Sequence, residues 1–275
     1  MAVSQAWSHL YQRLEKDGLL PEECAKKNYF RLPVTYRKFY VAAVFAACIF
    51  LGWYLTRNNQ HHDTILYELY NETNATTLAT VLEDGTVVYL SEQTLLKYPA
   101  HFAEDKREVI LRGDAFFEIK KQSERPFFIE TDLATVEVTG TSFKIKSDKN
   151  DSFLLSVREG EVRVIRKNRH QTLSVKAGET AFYDSQQLQL TKVETGFNEY
   201  FKRILFKDEY LADVATVINQ HSGSLQLVVD PEIEHRITFT YVEQSDIAEI
   251  AEAICLALNL QHTRQEKSIY ISKQK

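Results

Sequence analysis

The chain has 275 residues, room for one large domain or two ordinary ones, and its 44% hydrophobic and 12% aromatic content is enough to build a core. A net charge of −5 offers no global attraction to nucleic acid. Three cysteines, Cys24, Cys48 and Cys255, fall at no C-x-x-C or metal-ligand spacing, which argues against a disulfide framework and a cysteine metal site.

Near the N-terminus Trp7, Leu10, Tyr11 and Leu14 recur at i, i+3, i+4 and i+7, predicting an amphipathic helix that Asp17-Gly18 ends. Pro21 followed by Glu22 and Glu23 predicts the start of a second short helix, because proline suits the first helical position and acids suit the positive end of the dipole. Two small amphipathic helices with nothing to bury against call for a partner or a membrane surface; the competing reading is a frayed tail.

From Phe39 to Leu55 the chain carries no charge, and these 17 residues reach the short end of the roughly 17–25 that cross a bilayer. The segment 39–56 therefore reads as a transmembrane helix, flanked by Arg37, Lys38 and Arg57, with Tyr40, Trp53 and Tyr54 at the headgroup levels. Seven basic residues precede it, and after Arg57 none follows until Lys97, which places residues 1–38 in the cytoplasm and the bulk of the chain outside. Basic flanks weigh against a buried core helix, the late start weighs against a cleaved signal peptide, and Cys48 stands mid-run, a poor place for a lipidation box.

Residues 57–80, rich in Asn, His, Thr and Glu, read as a polar tether. Its triplets Asn71 to Thr73 and Asn74 to Thr76 are chance-level glycosylation patterns, and the pair His61-His62 lacks a nearby third ligand, so a solvated linker outweighs a metal site.

Between about 81 and 193 turn signals recur every 8–12 residues or so between β-branched and aromatic runs, an all-β pattern. The expected strands are 87–90, 109–111, 115–119, 127–130, 135–138, 143–145, 154–157, 161–165, 172–175 and 180–183. Asp84-Gly85, Gly113-Asp114, Glu159-Gly160 and Lys176-Ala177-Gly178 supply the turns. The basic run from Arg166 to His170 reads as a solvated hairpin tip.

From 197 to 275 the period changes and an internal repeat emerges: LADVATVI at 211–218 returns as IAEIAEAI at 247–254. Each copy reads as a helix between strands (203–206 and 225–229; 237–241, 260–263 and 268–271), with Asp246 and Glu249 forming a capping-box-like start to the second. Two such units make a small α+β domain, with Cys255 in its core.

The chain lacks a G-x-S-x-G elbow, an H-E-x-x-H pair and a phosphate-binding glycine loop, and its eight histidines are scattered. The expectation is a protein that is not an enzyme and needs no cofactor; a carboxylate pair assembled from distant strands would be the exception. The fold class expected is mainly β with α+β: one transmembrane helix, an all-β domain and a small βαβ-repeat domain.

The runs DGTVVYLSEQTLLKYP (84–99), REVILRGDAFFEI (107–119), RPFFIET (125–131), TVEVTGTSFKI (135–145), REGEVRV (158–164) and VKAGETAFY (175–183) resemble the periplasmic domain of FecR-type anti-sigma factors. Residues 197–275 are similar to the secretin and TonB short N-terminal domain found after it in relatives from Bacteroidetes. The resemblance implies a bacterial inner-membrane regulator, single-pass, with its C-terminal region in the periplasm. It implies three protein partners: an extracytoplasmic-function sigma factor inside, the signalling domain of a TonB-dependent outer-membrane transporter outside, and an intramembrane protease. The segment before the span is shorter than the family's usual sigma-binding region. Trp7, Leu10, Tyr11 and Leu14 are the candidate sigma-factor contacts, and the strand holding Leu225, Leu227 and Val229 is the candidate transporter contact through an exposed edge. Within the motif Gly140-Thr141-Ser142-Phe143, Gly140 is expected to permit a tight turn and Phe143 to fill the core. The alternative function is a membrane-anchored periplasmic scaffold whose cytoplasmic tail binds no sigma factor.

Overall fold

The computed structural model describes residues 2–17, 45–53, 66–72, 76–148, 152–167, 171–184, 187–191, 196–223 and 225–274. The chain divides into two compact units, Met1–His62 and Asp63–Lys275.

The first unit holds α1 (Ala2–Lys16) and a second helical stretch, α2, at 45–53. α1 forms where the apolar spacing predicts it, and Arg13 and Lys16 occupy its last turn, where cations meet the negative end of the helix dipole. α2 lies inside the predicted apolar span, and Phe45, Ile49, Phe50 and Trp53 along it are all exposed. Among the described residues no helix is long and apolar enough to cross a membrane. The ends of the expected span, 39–44 and 54–56, the helix expected at Pro21 and the pair His61-His62 lie outside the described residues.

The second unit is mainly β. In chain order it begins β1 (Leu66–Asn71), β2 (Thr77–Val81), β3 (Val87–Leu90), β4 (Thr94–Pro99), β5 (Arg107–Arg112), β6 (Ala115–Glu118) and β7 (Phe127–Glu130). There follow β8 (Ala134–Val138), β9 (Ser142–Asp148), β10 (Ser152–Glu159), β11 (Glu161–Arg166), β12 (Thr172–Lys176), β13 (Thr180–Asp184) and β14 (Gln187–Thr191). The last part runs β15 (Arg203–Tyr210), α3 (Leu211–His221), β16 (Gln226–Val229), β17 (Arg236–Val242), α4 (Ile247–Leu258), β18 (Leu260–Gln265) and β19 (Ser268–Lys273).

Three sheets result. One has the order β1-β4-β5-β7-β8-β11-β12, the second β14-β13-β10-β9-β6-β3-β2-β15-β17, and the third β16-β19-β18. The first two pack face to face: Leu96, Leu111, Phe127, Ile129 and Val164 from one meet Val88, Leu90, Phe117, Phe143 and Leu155 from the other in a single core. Where the chain leaves β10 for β11 it changes sheets at Gly160, whose φ of 88° and whose missing Cβ, 2.5 Å from Thr141 Cγ2, make glycine the residue that fits.

The nine-stranded sheet is buried on both faces along its middle. Successive side chains of a strand point to opposite faces. Leu78, Val88, Leu90, Ala115 and Phe117 enter the sandwich core, while Ala79, Val87, Tyr89 and Phe116 enter a second core beneath the C-terminal module. That core is completed by Val214, Val217 and Ile218 of α3, Ile250, Ile254 and Cys255 of α4, and Leu227, Ile269 and Ile271 of the three-stranded sheet. The repeat is structural: the buried residues Leu211, Val214, Ala215 and Ile218 of α3 return as Ile247, Ile250, Ala251 and Ile254 of α4. Asp246 caps α4 by accepting the N–H of Ala248 at 2.8 Å.

All ten strands expected between 87 and 183 form, most with longer ends. Four more were not expected: β1, β2, β4 and β14. β1 and β2 occupy part of the stretch read as a tether, 57–80, and β2 is buried along four of its five residues, so it shows no alternation to read. Asn71 is 1% exposed, and its amide donates to the carbonyls of Thr76 at 2.9 Å and Leu90 at 3.0 Å, which makes it a structural residue and not a glycan acceptor. Asn74 lies outside the described residues. Two further expectations need correcting. Arg166 is buried at the end of β11 and is not a solvated tip; 168–170 lie outside the described residues. Gly140 serves a close approach and not a turn of positive φ, since a Cβ there would lie 2.5 Å from Lys121 Cα. Phe143 fills the core as expected, stacked on Phe117 with ring centroids 5.5 Å apart.

Candidate partner-binding surfaces

On α1, Trp7 is 61% and Leu10 50% exposed, and Leu14 is half-buried. Tyr11 shares the helix, its side chain lying outside the described residues. Trp7 and Leu10 lie on one helical stripe, the arrangement with which an amphipathic helix enters an apolar groove.

The strand predicted to face a transporter is β16, and it does stand at an edge of the three-stranded sheet, bonded only to β19. Its named side chains, however, serve the core: Leu227 is 3% exposed, and Leu225 and Val229 pack against the same cluster. The free backbone edge is also occupied at its centre. Asn219 Nδ2 donates to the Leu227 carbonyl at 2.8 Å, and the Leu227 N–H donates to Asn219 Oδ1 at 2.8 Å. This side-chain amide takes the place of a neighbouring strand. What β16 shows to solvent is Gln226 and Val228, the latter in register with Tyr270 of β19, which is exposed too. The terminal strands β18 and β17 offer alternative edges, and every residue of β18 after Leu260 is exposed.

A polar cluster fastens α3 to the nine-stranded sheet. Tyr89 Oη of β3 lies 3.2 Å from Glu118 Oε2, 3.4 Å from Gln220 Oε1 and 3.0 Å from His221 Nε2. Because a carboxylate only accepts, a Tyr89 hydroxyl that donates to Glu118 leaves His221 to present its Nε2–H. Arg158 donates to Glu118 at 2.7 Å and lies over the rings of Phe116 and Phe201, 4.8 and 5.8 Å from their centroids. Burial pushes the Tyr89 hydroxyl well above its usual range, with the Glu118 charge adding to it, and burial also pulls the His221 imidazole down. Both groups are held neutral, which suits a hydrogen-bonded fastening. A second fastening is Lys144, whose Nζ donates to the Gly196 carbonyl at 3.0 Å and sits 5.5 Å from the Phe197 ring centroid.

At the far end of β15 a bulge between Phe206 and Glu209 puts Asp208 at a φ of 55°. Arg236 bonds Asp208 and lies over the Tyr210 ring, 4.1 Å from its centroid. The half-buried Glu209 carboxyl beside Thr80 is pushed up to about 7, chiefly by burial, and burial raises Asp213 as well. Among the described residues no three His, Cys, Asp or Glu side chains converge to hold a metal. The junction residues Tyr89, Glu118 and His221 have no short-range signature, since Tyr89 and His221 stand 132 positions apart.

Residues 71–163 match the family model described as FecR protein. Two crystal structures of a protein from Parabacteroides distasonis, described as a candidate anti-sigma factor, are similar to the chain at 23% identity and a TM-score of 0.45. The matches cover 76% and 77% of this chain and 100% of that one. No curated protein matches the chain.

Proposed function

We propose that this chain, whose residues 71–163 form a FecR-type segment, is a membrane-anchored anti-sigma regulator that relays an extracytoplasmic signal to a sigma factor. The FecR match carries the reading. The amphipathic α1, with Trp7 and Leu10 exposed, supplies a surface for the sigma factor inside. The apolar run 39–55 with its basic N-terminal flank supplies the anchor in the bacterial inner membrane. In the periplasm the partner is the signalling domain of a TonB-dependent outer-membrane transporter, received by strand addition at the C-terminal module, with cleavage by an intramembrane protease as the relay step.

The deciding experiment is capture of an extracytoplasmic-function sigma factor by residues 1–38 from lysate, repeated with Trp7, Leu10 and Leu14 replaced by serine. Capture that the triple substitution abolishes supports the regulator. Capture by neither version overturns it and leaves an anchored scaffold. A reporter fused at Lys275 that proved active only in the cytosol would overturn the periplasmic placement and with it the whole relay.

A further inference from the structure

We propose that β15 is a clasp through which the C-terminal module holds the entry strands β1 and β2 of the sandwich, so that its release bares the stretch 66–81. The inference concerns the second unit alone and does not depend on the regulatory reading.

β15 belongs to two cores at once. Ile204 and Phe206, both fully buried, point into the module's core, while Leu205 between them packs against the sandwich core. Its parallel pairing with β2 is short: Ile204 with Thr77, Leu205 with Leu78 and Phe206 with Ala79. The bulge at Asp208 then ends the backbone pairing, and β15 continues paired with β17 alone, only the Glu209 carboxyl remaining beside Thr80 of β2. A three-residue parallel ladder is a weak seam in a nine-stranded sheet, because parallel bonds are slanted and each residue contributes little.

Without β15, β2 would become an edge. Thr77, Leu78, Ala79 and Thr80 are now 8%, 2%, 0% and 2% exposed, so losing that neighbour uncovers backbone donors and acceptors together with apolar surface. β1, next upstream, pairs as a strand with β4, is tied by the amide of its last residue Asn71 to the carbonyls of Thr76 and Leu90, and already exposes Leu66, Tyr67 and Tyr70. The pair would fray together. Beyond the shared apolar core, the fastenings of the module among the described residues include the Tyr89 cluster, the Lys144 contact to Gly196, the pairing of Lys144 and Lys146 with Glu199, and the rings of Phe197, Tyr200 and Phe201 resting on Phe116 and Tyr89. All of these reach β3, β6 or β9; among the bonded strands, β15 is the one that reaches β2.

Elements that open together show one common protection against amide hydrogen exchange. The test is exchange followed by mass spectrometry on the full chain in detergent. In the unsubstituted protein, peptides of β2 and β15 are expected to share a protection factor within about twofold, at least tenfold below that of β9 and β10. Leu205→Asp, which acts on the sandwich side of the strand, should lower protection of 66–81 and 203–207 at least tenfold while 142–159 changes less than twofold. It should also create protease cleavage within 66–81. The proposal is overturned if 66–81 keeps its protection in that variant, or if 142–159 loses protection to the same degree as 66–81. Should Leu205→Asp fail to fold, Leu205→Ala serves the same comparison. In the unsubstituted chain, β2 protected as strongly as β9 while β15 opens alone would be equally fatal.

Discussion

Arg107 has a fully buried side chain, and its guanidinium lies 2.6 Å from the equally buried carboxylate of Asp84. It donates also to the carbonyls of Arg125 and Lys120 at 2.9 and 3.0 Å, and it lies over the Phe127 ring. Asp84 in turn accepts the N–H and hydroxyl of Thr86. Removing one member strands the other charge in the core, so Asp84→Asn should cost about 3–5 kcal/mol in urea unfolding, most of it from the abandoned arginine. Asp84-Gly85 is legible as a turn; the partner of Asp84 is not, because an ion pair spanning 23 residues and two sheets leaves no local pattern. Glu209 gives a pH-dependent counterpart. Its folded carboxyl titrates at about 7 against an ordinary 4.5, so the unfolded chain releases its proton first and stability falls as pH rises from about 4.5 to 7. Glu209→Gln should therefore stabilise the protein near pH 7.5 by about 1–2 kcal/mol, allowing for partial screening, with the gain vanishing below about pH 4 in denaturation curves.

At the scale of the element, α3 is the point where acid should act. Its last residue, His221, faces Tyr89 and Glu118 of the sheet, the Arg158 guanidinium and the nearby Glu243, and burial holds its imidazole below the ordinary range. A group so depressed contributes full stability above its unfolded value of about 6.5 and loses it as pH falls. Amide exchange in the last turn of α3 should accordingly quicken below about pH 6 relative to α4, once corrected for intrinsic rates, and His221→Gln should flatten that difference. The presence of most strands, though not their ends, was legible where one face alternates against a core, as in β5, expected at 109–111 and found at Arg107–Arg112; β4 alternates over its first four residues and was still missed. β2 was not legible because it is covered on both sides, and Thr77-Leu78-Ala79-Thr80 then carries no period. The β16 edge shows the same limit: the sequence places a strand there, but Asn219 closing it comes from the preceding helix.

For the whole molecule, the sandwich and the C-terminal module read as separate segments, yet the nine-stranded sheet runs through both. A fragment of residues 63–196, without the apolar run 39–55, would uncover Ala79, Val87, Tyr89 and Phe116, each now at most 1% exposed, on one contiguous apolar face. Such a fragment should aggregate or oligomerise in size-exclusion chromatography, and replacing Val87 and Phe116 by polar residues should restore a monomer. The candidate surfaces follow a similar rule. The α1 stripe was legible because a lone helix is read from its own spacing, whereas the outward pair Val228 and Tyr270 depends on a register between strands more than 40 positions apart.

A partition shared by two interiors also constrains how such chains diversify. Swapping in a foreign C-terminal half by recombination would succeed only if the newcomer brought residues matching the outer face of β3 and β6 and a strand that fits beside β2. Change on either side of that partition should therefore be answered on the other, so the two halves are inherited as a set.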